Sequence, residues 1–190
     1  MSLFAAAHAD LPRGSPGLGA EIPTFEQIFV DHAPFAWRAL RRLGVHEADV
    51  EDVCQEVFMV VHRRLADFEG RSSVRTWIYG ICVRVAADYR KRAHRRHEST
   101  SAALPEQVAP EDQHEALEER QARALLDACV QALDDDKRAV FVLFELTELP
   151  MTEVAEAVGC PLQTAYARLY AARRQVEAAL RRATAERRVP

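Results

Sequence analysis

The sequence predicts an all-α protein made of two small helical domains joined by a flexible linker. Three observations carry this prediction. Apolar residues recur at three- and four-residue spacing through most of the chain, the period of a helix with one buried face. Only seven glycines stand among abundant Ala, Leu, Arg and Glu, a composition that favours helix. No stretch alternates apolar and polar residues as a half-buried strand would.

The 190 residues suit one ordinary domain or two small ones. The opening MSLFAAAHADLPRGSPGLGA has no basic start and too short an apolar stretch for a secretory signal. Residues 1–23 are therefore expected to be a disordered tail, as are 184–190 at the other end. No apolar run approaches the roughly 20 residues that span a bilayer, and a cytoplasmic location is expected. Cys54, Cys82, Cys129 and Cys160 are scattered, with no CxxC and no Cys–His pair at zinc spacing. They read as small hydrophobes in a reducing compartment, with redox sensing as the alternative. No metal and no cofactor is expected.

The first domain is expected over 24–97. Its first helix runs from about Phe25 to Leu43, with Phe25, Ile28, Phe29, Ala36, Leu40 and Leu43 as a broken stripe. Pro34 should kink or split it, and Gly44 should stop it. A second helix from about Glu47 to Ala66 buries Val50, Val53, Cys54, Val57, Phe58, Val61 and Leu65. FEGRSS (68–73) reads as a loop. A third helix carries Val74, Trp77, Ile78, Ile81, Cys82, Val85 and Tyr89 on one stripe. Residues 98–120 hold two prolines and seven acids against one Arg, which marks a linker whose end enters the next helix. The second domain, 121–183, resumes with ARALLDACVQAL and DKRAVFVLFEL, then TEVAEAV and LQTAYARLYAARRQVEAALRR.

Three surfaces hold candidate chemistry. MTEVAEAVGCPLQTAYARL (151–169) is a helix, a Gly-Cys-Pro break and a second helix, with Ala155 and Ala165 small where two backbones must approach. Burying Leu162, Ala165, Leu169, Ala172 and Val176 turns Gln163, Tyr166, Ala167, Tyr170 and Arg174 outward. Gln can read adenine and Arg can read guanine or phosphate, so this helix can enter a major groove. On the second helix, Asp52, Gln55, Glu56, Met59 and Arg63 lie opposite the core stripe. Acids around an exposed apolar spot suit a basic protein partner; an ordinary solvated face is the competing reading. The third helix turns Thr76, Tyr79, Gly80, Val83 and Ala87 away from its stripe and ends in Arg90, Lys91, Arg92, Arg95 and Arg96. In a chain of net charge −4 such segregated positive charge reads as an electrostatic footprint for nucleic acid.

Together these segments resemble a known family. DVEDVCQEVFMVVHRRLADFEGRSSVRTWIYGICVRVAADYRKR (49–92) is similar to region 2 of the extracytoplasmic-function sigma factors of bacterial RNA polymerase. LDDDKRAVFVLFELTELPMTEVAEAVGCPLQTAYARLYAARRQVEAAL (133–180) is similar to their region 4. The resemblance implies a factor that binds core polymerase and directs promoter recognition, melting and initiation without catalysis of its own. It implies that Asp49, Asp52, Gln55, Glu56 and Met59 bind the β′ clamp helices, with the β flap a further polymerase contact. The loop Glu69, Gly70, Arg71, Ser72 and Ser73 would hold a flipped base of the minus-ten element. Arg75, Thr76, Tyr79, Arg84, Arg90, Lys91, Arg92 and Arg95 would follow the melting strand. Gln163, Thr164, Tyr166, Ala167, Arg168, Arg173 and Arg174 would engage the minus-thirty-five element. An anti-sigma factor is a further partner the family implies.

The chain departs from the family pattern in three places. Arg84 stands where Asn is frequent. Pro150 replaces a capping Ser. Ala165-Tyr166 replaces a common Val-Lys pair and removes a phosphate-binding charge. The acidic linker should compete with DNA for the basic patches, so the lone protein is expected to bind DNA weakly. The rival reading is a helix-turn-helix regulator that acts without polymerase docking, and no heptad or dimer seam supports it. A nuclease would need carboxylates or His at metal spacing, which Asp52 and Glu56, beside Gln and Met, do not supply.

Overall fold

A computed structural model describes residues 23–99 and 114–186, with no strand among them. The expected N-terminal tail, the last four residues and most of the acidic linker lie outside the described residues.

Helix α1, Phe25–Arg42, starts from a capping box. Thr24 Oγ1 accepts from the Gln27 amide at 3.3 Å, and the Gln27 side chain accepts from the Thr24 amide at 2.9 Å. Pro34 does not split this helix as expected; α1 passes through it. The proline sits on the exposed face, where its ring meets solvent and the uncommitted Val30 carbonyl is reachable by water. Ile28, Phe35, Ala36, Ala39 and Leu40 are its buried face. Gly44, at φ +98°, turns the chain in the left-handed region that glycine accepts without strain.

Helix α2, Val50–Arg64, is flanked by 3-10 turns at Glu47–Asp49 and Leu65–Asp67. It buries Val50, Val53, Val57, Phe58 and Val61, as its period requires; Cys54 and Leu65 are half-buried. Helix α3, Val74–Ser99, runs past the expected end of the domain. Its start is capped by Ser73, whose Oγ accepts from the Thr76 amide at 3.0 Å.

Helix α4, His114–Gln131, begins well inside the segment expected as linker. Asp134 caps α5, Asp135–Phe141, by accepting from the Lys137 amide at 2.9 Å. The chain then widens into a π-helical turn over Val142–Leu146, where the apolar spacing predicts plain helix. Helix α6, Met151–Val158, starts at Pro150 with no side-chain cap and ends at Gly159, φ +69°. Helix α7, Leu162–Glu186, completes the second domain.

One buried side chain organises that domain. Arg138, 1% exposed, donates to the carbonyls of Val130 (3.1 Å), Gln131 (2.7 Å) and Leu133, and to Asp135 Oδ1 (2.8 Å). These carbonyls lie at and just beyond the end of α4, where helical partners run out; Val130 also accepts from the Leu133 amide at 3.2 Å. A guanidinium, with donors in a fixed planar fork, can serve several of them at once.

The two domains touch. α6 lies against α3, and α1 meets the end of α4. Arg42 Nη1 donates to the Leu146 carbonyl at 2.7 Å, and Gln131 Nε2 approaches the Arg42 carbonyl at 3.4 Å.

Candidate polymerase and DNA interfaces

The outer face of α2 is exposed at Asp52, Gln55 and Met59, the last 56% exposed. Two expected members of the ridge are already engaged. Asp49 accepts a hydrogen bond from Tyr89 at 2.6 Å, and Glu56 pairs with Arg92 at 3.0 Å. Arg92, expected on the DNA strand, thus reaches across to α2.

Beside this ridge lies a groove that the sequence reading missed. About 880 Å³ of space separates Phe25, Phe29, Ala33, Pro34 and Trp37 on α1 from Cys54, Gln55, Phe58, Met59 and His62 on α2. Phe29 is 46% exposed and meets Phe58 edge-on at 4.8 Å, while Phe25 meets His62 edge-on at 4.9 Å. The signal was present in the sequence. Phe25, Phe29, Ala33 and Trp37 follow one another at four-residue steps, a second apolar stripe on α1 beside the buried one.

The loop 68–73 is exposed at Glu69, Gly70 and Arg71, while Phe68 is buried against Trp77. Gly70 has φ +66° and a β-carbon added there would meet nothing within 4 Å, and Glu69 and Arg71 form an exposed pair at 2.5 Å. Ser72 is half-buried. The Ser73 hydroxyl caps α3 and lies 2.7 Å from Thr76 Oγ1, so its polar capacity is largely taken.

The outward face expected for α3 is largely covered. Thr76 and Tyr79 are 1% and 2% exposed and Gly80 is buried. The Tyr79 ring packs on Phe35 at 4.7 Å, which makes it a core residue in this arrangement. The Arg75 guanidinium lies 5.7 Å from both rings, within reach for cation–π attraction. Nearby His32 is held below its usual pKa by burial first, with the Arg75 charge adding and Asp31 opposing. Thr76 Oγ1 donates to Glu153 of α6. Arg84 is exposed, and Arg90 pairs with Asp135 of the second domain at 2.5 Å.

In α7, Ala165, Leu169, Ala172 and Val176 are buried. Leu162, expected with them, is 42% exposed. Gln163, Tyr166, Ala167, Tyr170 and Arg174 are exposed, and Thr164 and Arg168 are half-buried. Tyr166 and Tyr170 stack with ring centroids 6.5 Å apart. Arg168 pairs with Asp136 at 2.5 Å and Arg173 with Glu145 at 2.6 Å. Partly exposed pairs of this kind contribute at most about 1 kcal/mol, so a phosphate can displace them.

None of the four cysteines is in a disulfide. Burial first, and then proximity to Cys54, pushes the Cys82 thiol far above its usual pKa. It is packed as a hydrophobe rather than poised as a thiolate.

Comparison with known proteins agrees with this geometry. Residues 28–96 match the Sigma-70 region 2 family and residues 123–176 the Sigma-70, region 4 family. The chain is 32% identical over 145 residues to the ECF RNA polymerase sigma-E factor of Escherichia coli (strain K12), covering 70% of this chain and 74% of that protein. It is 30% identical over 146 residues to the RNA polymerase sigma-H factor of Pseudomonas aeruginosa, covering 72% and 76%. Among solved structures it is similar to CnrH in complex with the cytosolic domain of CnrY, with TM-score 0.61 and 25% identity over 82% of this chain and 86% of that one. The sigma factor RpoE, in complex with the anti-sigma factor NepR from Bartonella quintana, shares the fold at TM-score 0.65 and 19% identity, over 83% and 96%. With both sigma-70 regions present in order, and relatives matched over about three quarters of their length, the chain belongs to the ECF sigma factors of RNA polymerase.

Proposed function

We propose that residues 24–97 form the unit that docks on core polymerase and engages the minus-ten element, and that 121–183 form the unit that reads the minus-thirty-five element. The exposed ridge of Asp52, Gln55 and Met59 beside the α1–α2 groove supports the docking role most directly. An apolar trough lined also by Glu51 and Arg63, with Asp52 beside it, fits an amphipathic helix with charged flanks, the chemistry suited to a polymerase clamp helix. Phe29 and Met59 supply the anchors, and Asp52 steers the approach. Glu56 and Asp49 stiffen the ridge through Arg92 and Tyr89.

For DNA, the exposed row Gln163, Tyr166, Ala167, Tyr170 and Arg174 supports major-groove reading by α7. Arg168 and Arg173 would exchange their carboxylate partners for phosphates. The open loop at Glu69, Gly70, Arg71 and Ser72 supports capture of an unstacked base. Ser73 serves that loop from beneath, as the cap that starts α3. No described helix is long and apolar enough to cross a membrane; we place the protein in the cytoplasm, where polymerase and promoters are. An anti-sigma partner of the kind bound to RpoE is compatible with the same groove and ridge.

The test is in vitro transcription with core polymerase on a randomised promoter library. The wild-type chain is expected to select a two-part promoter, and no selected sequence would refute the reading. Ser72→Ala is expected to change base preference within the minus-ten element at unchanged stability. Ser73→Ala is expected to cost about 1 kcal/mol of stability, as loss of a cap does, and to leave preference alone. A shift in preference with Ser73→Ala and none with Ser72→Ala would reverse the two assignments.

A further inference from the structure

Outside the first domain, the large apolar side chains left exposed among the described residues all lie on α7. Leu162, Tyr166 and Tyr170 are 42%, 41% and 57% exposed. They follow one another at four-residue steps, so they share one side of the helix. The Tyr166 and Tyr170 rings stack at 6.5 Å between centroids, which makes the row a continuous apolar edge. From Leu162 to Tyr170 it covers about 12 Å of helix, about the width of a DNA major groove.

Charge is arranged around this row and not on it. Gln163 and Ala167, exposed beside it, are neutral. Arg168 and Arg173 are drawn to Asp136 and Glu145, and Arg174 stands one turn beyond Tyr170, about 6 Å further along the helix. A helix seated in a groove brings its first turns to the bases and its outlying cations to the phosphates. The side chains placed to reach base edges here therefore include no arginine or lysine to read guanine, and no acid to accept from cytosine. What is left is Gln163, which can pair with adenine, and an apolar edge, which suits the methyl group of thymine.

We propose that Leu162, Tyr166 and Tyr170 read thymine methyl groups, so that the upstream promoter element this chain selects is specified by A·T pairs and not by guanine. The proposal rests on the minus-thirty-five role given above to α7, and it gives Leu162, absent from the expected contact set, a part in that role. The thymine methyl projects into the major groove, where an aliphatic or aromatic side chain removes it from water at no polar cost. Cytosine in the same place presents an amino donor that these side chains leave unpaired.

The test uses holoenzyme assembled from the full chain and core polymerase. Transcription from a library randomised over the upstream element is expected to select thymine, on either strand, with guanine depleted. Uracil placed at a selected thymine removes the methyl and nothing else. It is expected to weaken promoter binding about fourfold per methyl, the factor for burying one CH₂-sized group. In Leu162→Ala combined with Tyr166→Ala, shown to be folded by circular dichroism, thymine and uracil are expected to bind equally. Tyr166→Phe is expected to keep the difference, since the ring makes the contact, and Tyr166→Arg to bring guanine into the element.

Equal binding of thymine and uracil by the wild-type holoenzyme, or an element read chiefly at guanines, overturns the proposal and leaves the sigma reading standing. A double variant that still distinguishes the two bases but joins core polymerase more weakly assigns the row to a protein surface, and overturns it as well. A holoenzyme that selects no upstream element refutes the minus-thirty-five role of α7 itself, and the methyl reading falls with it.

Discussion

Arg138→Met is expected to lower the stability of the second domain by about 3–5 kcal/mol, the range for removing one partner from a buried charge network. The substitution keeps the hydrophobic stem and removes the donors that Val130, Gln131 and Leu133 share. The Val130 carbonyl keeps the Leu133 amide at 3.2 Å, but the Gln131 and Leu133 carbonyls lose the guanidinium, and each buried carbonyl left unpaired costs about 1–3 kcal/mol, which the apolar methionine side chain does not offset. Asp135 also loses its partner at 2.8 Å and with it the placement that meets Arg90. Arg138→Lys is expected to recover little, since an ammonium cannot reproduce the planar fork. Urea unfolding followed by circular dichroism measures the effect; a change below about 1 kcal/mol would show that the carbonyls find water or new donors.

The second large effect is expected at the docking ridge. Asp52→Lys combined with Met59→Lys should weaken association with core polymerase about 100-fold or more, which corresponds to about 2.7 kcal/mol. Both side chains are exposed, so the fold and its melting temperature should hold. The loss has two parts. A charge replaces an apolar anchor at the edge of the groove, as at a binding hot spot, and a cation replaces the anion that complements a basic partner. Glu56→Gln alone should matter less for docking, because Glu56 is engaged with Arg92. Surface plasmon resonance with immobilised core polymerase checks both. Unchanged affinity in the double variant would move the docking site away from α2.

The helices of the first domain could be read from sequence because their information is local. Val50, Val53, Val57, Phe58 and Val61 repeat at one period and are all buried; no distant residue alters that pattern. Pro34 misled because proline's effect depends on which face it occupies, and Pro34 sits on the solvent side of a helix already started by Thr24 and Gln27. Thr76, Tyr79 and Gly80 read as an open face because what covers them is remote. Glu153 lies 77 residues beyond Thr76, and pairings over such distances leave no periodic trace. The groove was legible in principle as the Phe25–Phe29–Ala33–Trp37 row, but one helix with two apolar stripes is easily read as one broad stripe. Arg138 gave no signal, since its burial depends on where the end of α4 falls.

Gly80 carries a consequence for how this protein can change. Within an isolated helix, glycine is worse than alanine by about 0.5–1 kcal/mol, so adding one methyl group at position 80 strengthens α3. The same methyl meets a backbone oxygen of α6 at 3.0 Å, tighter than most contacts tolerate. A single-carbon change there favours the helix of one domain while asking the α6 backbone to give by a few tenths of an ångström.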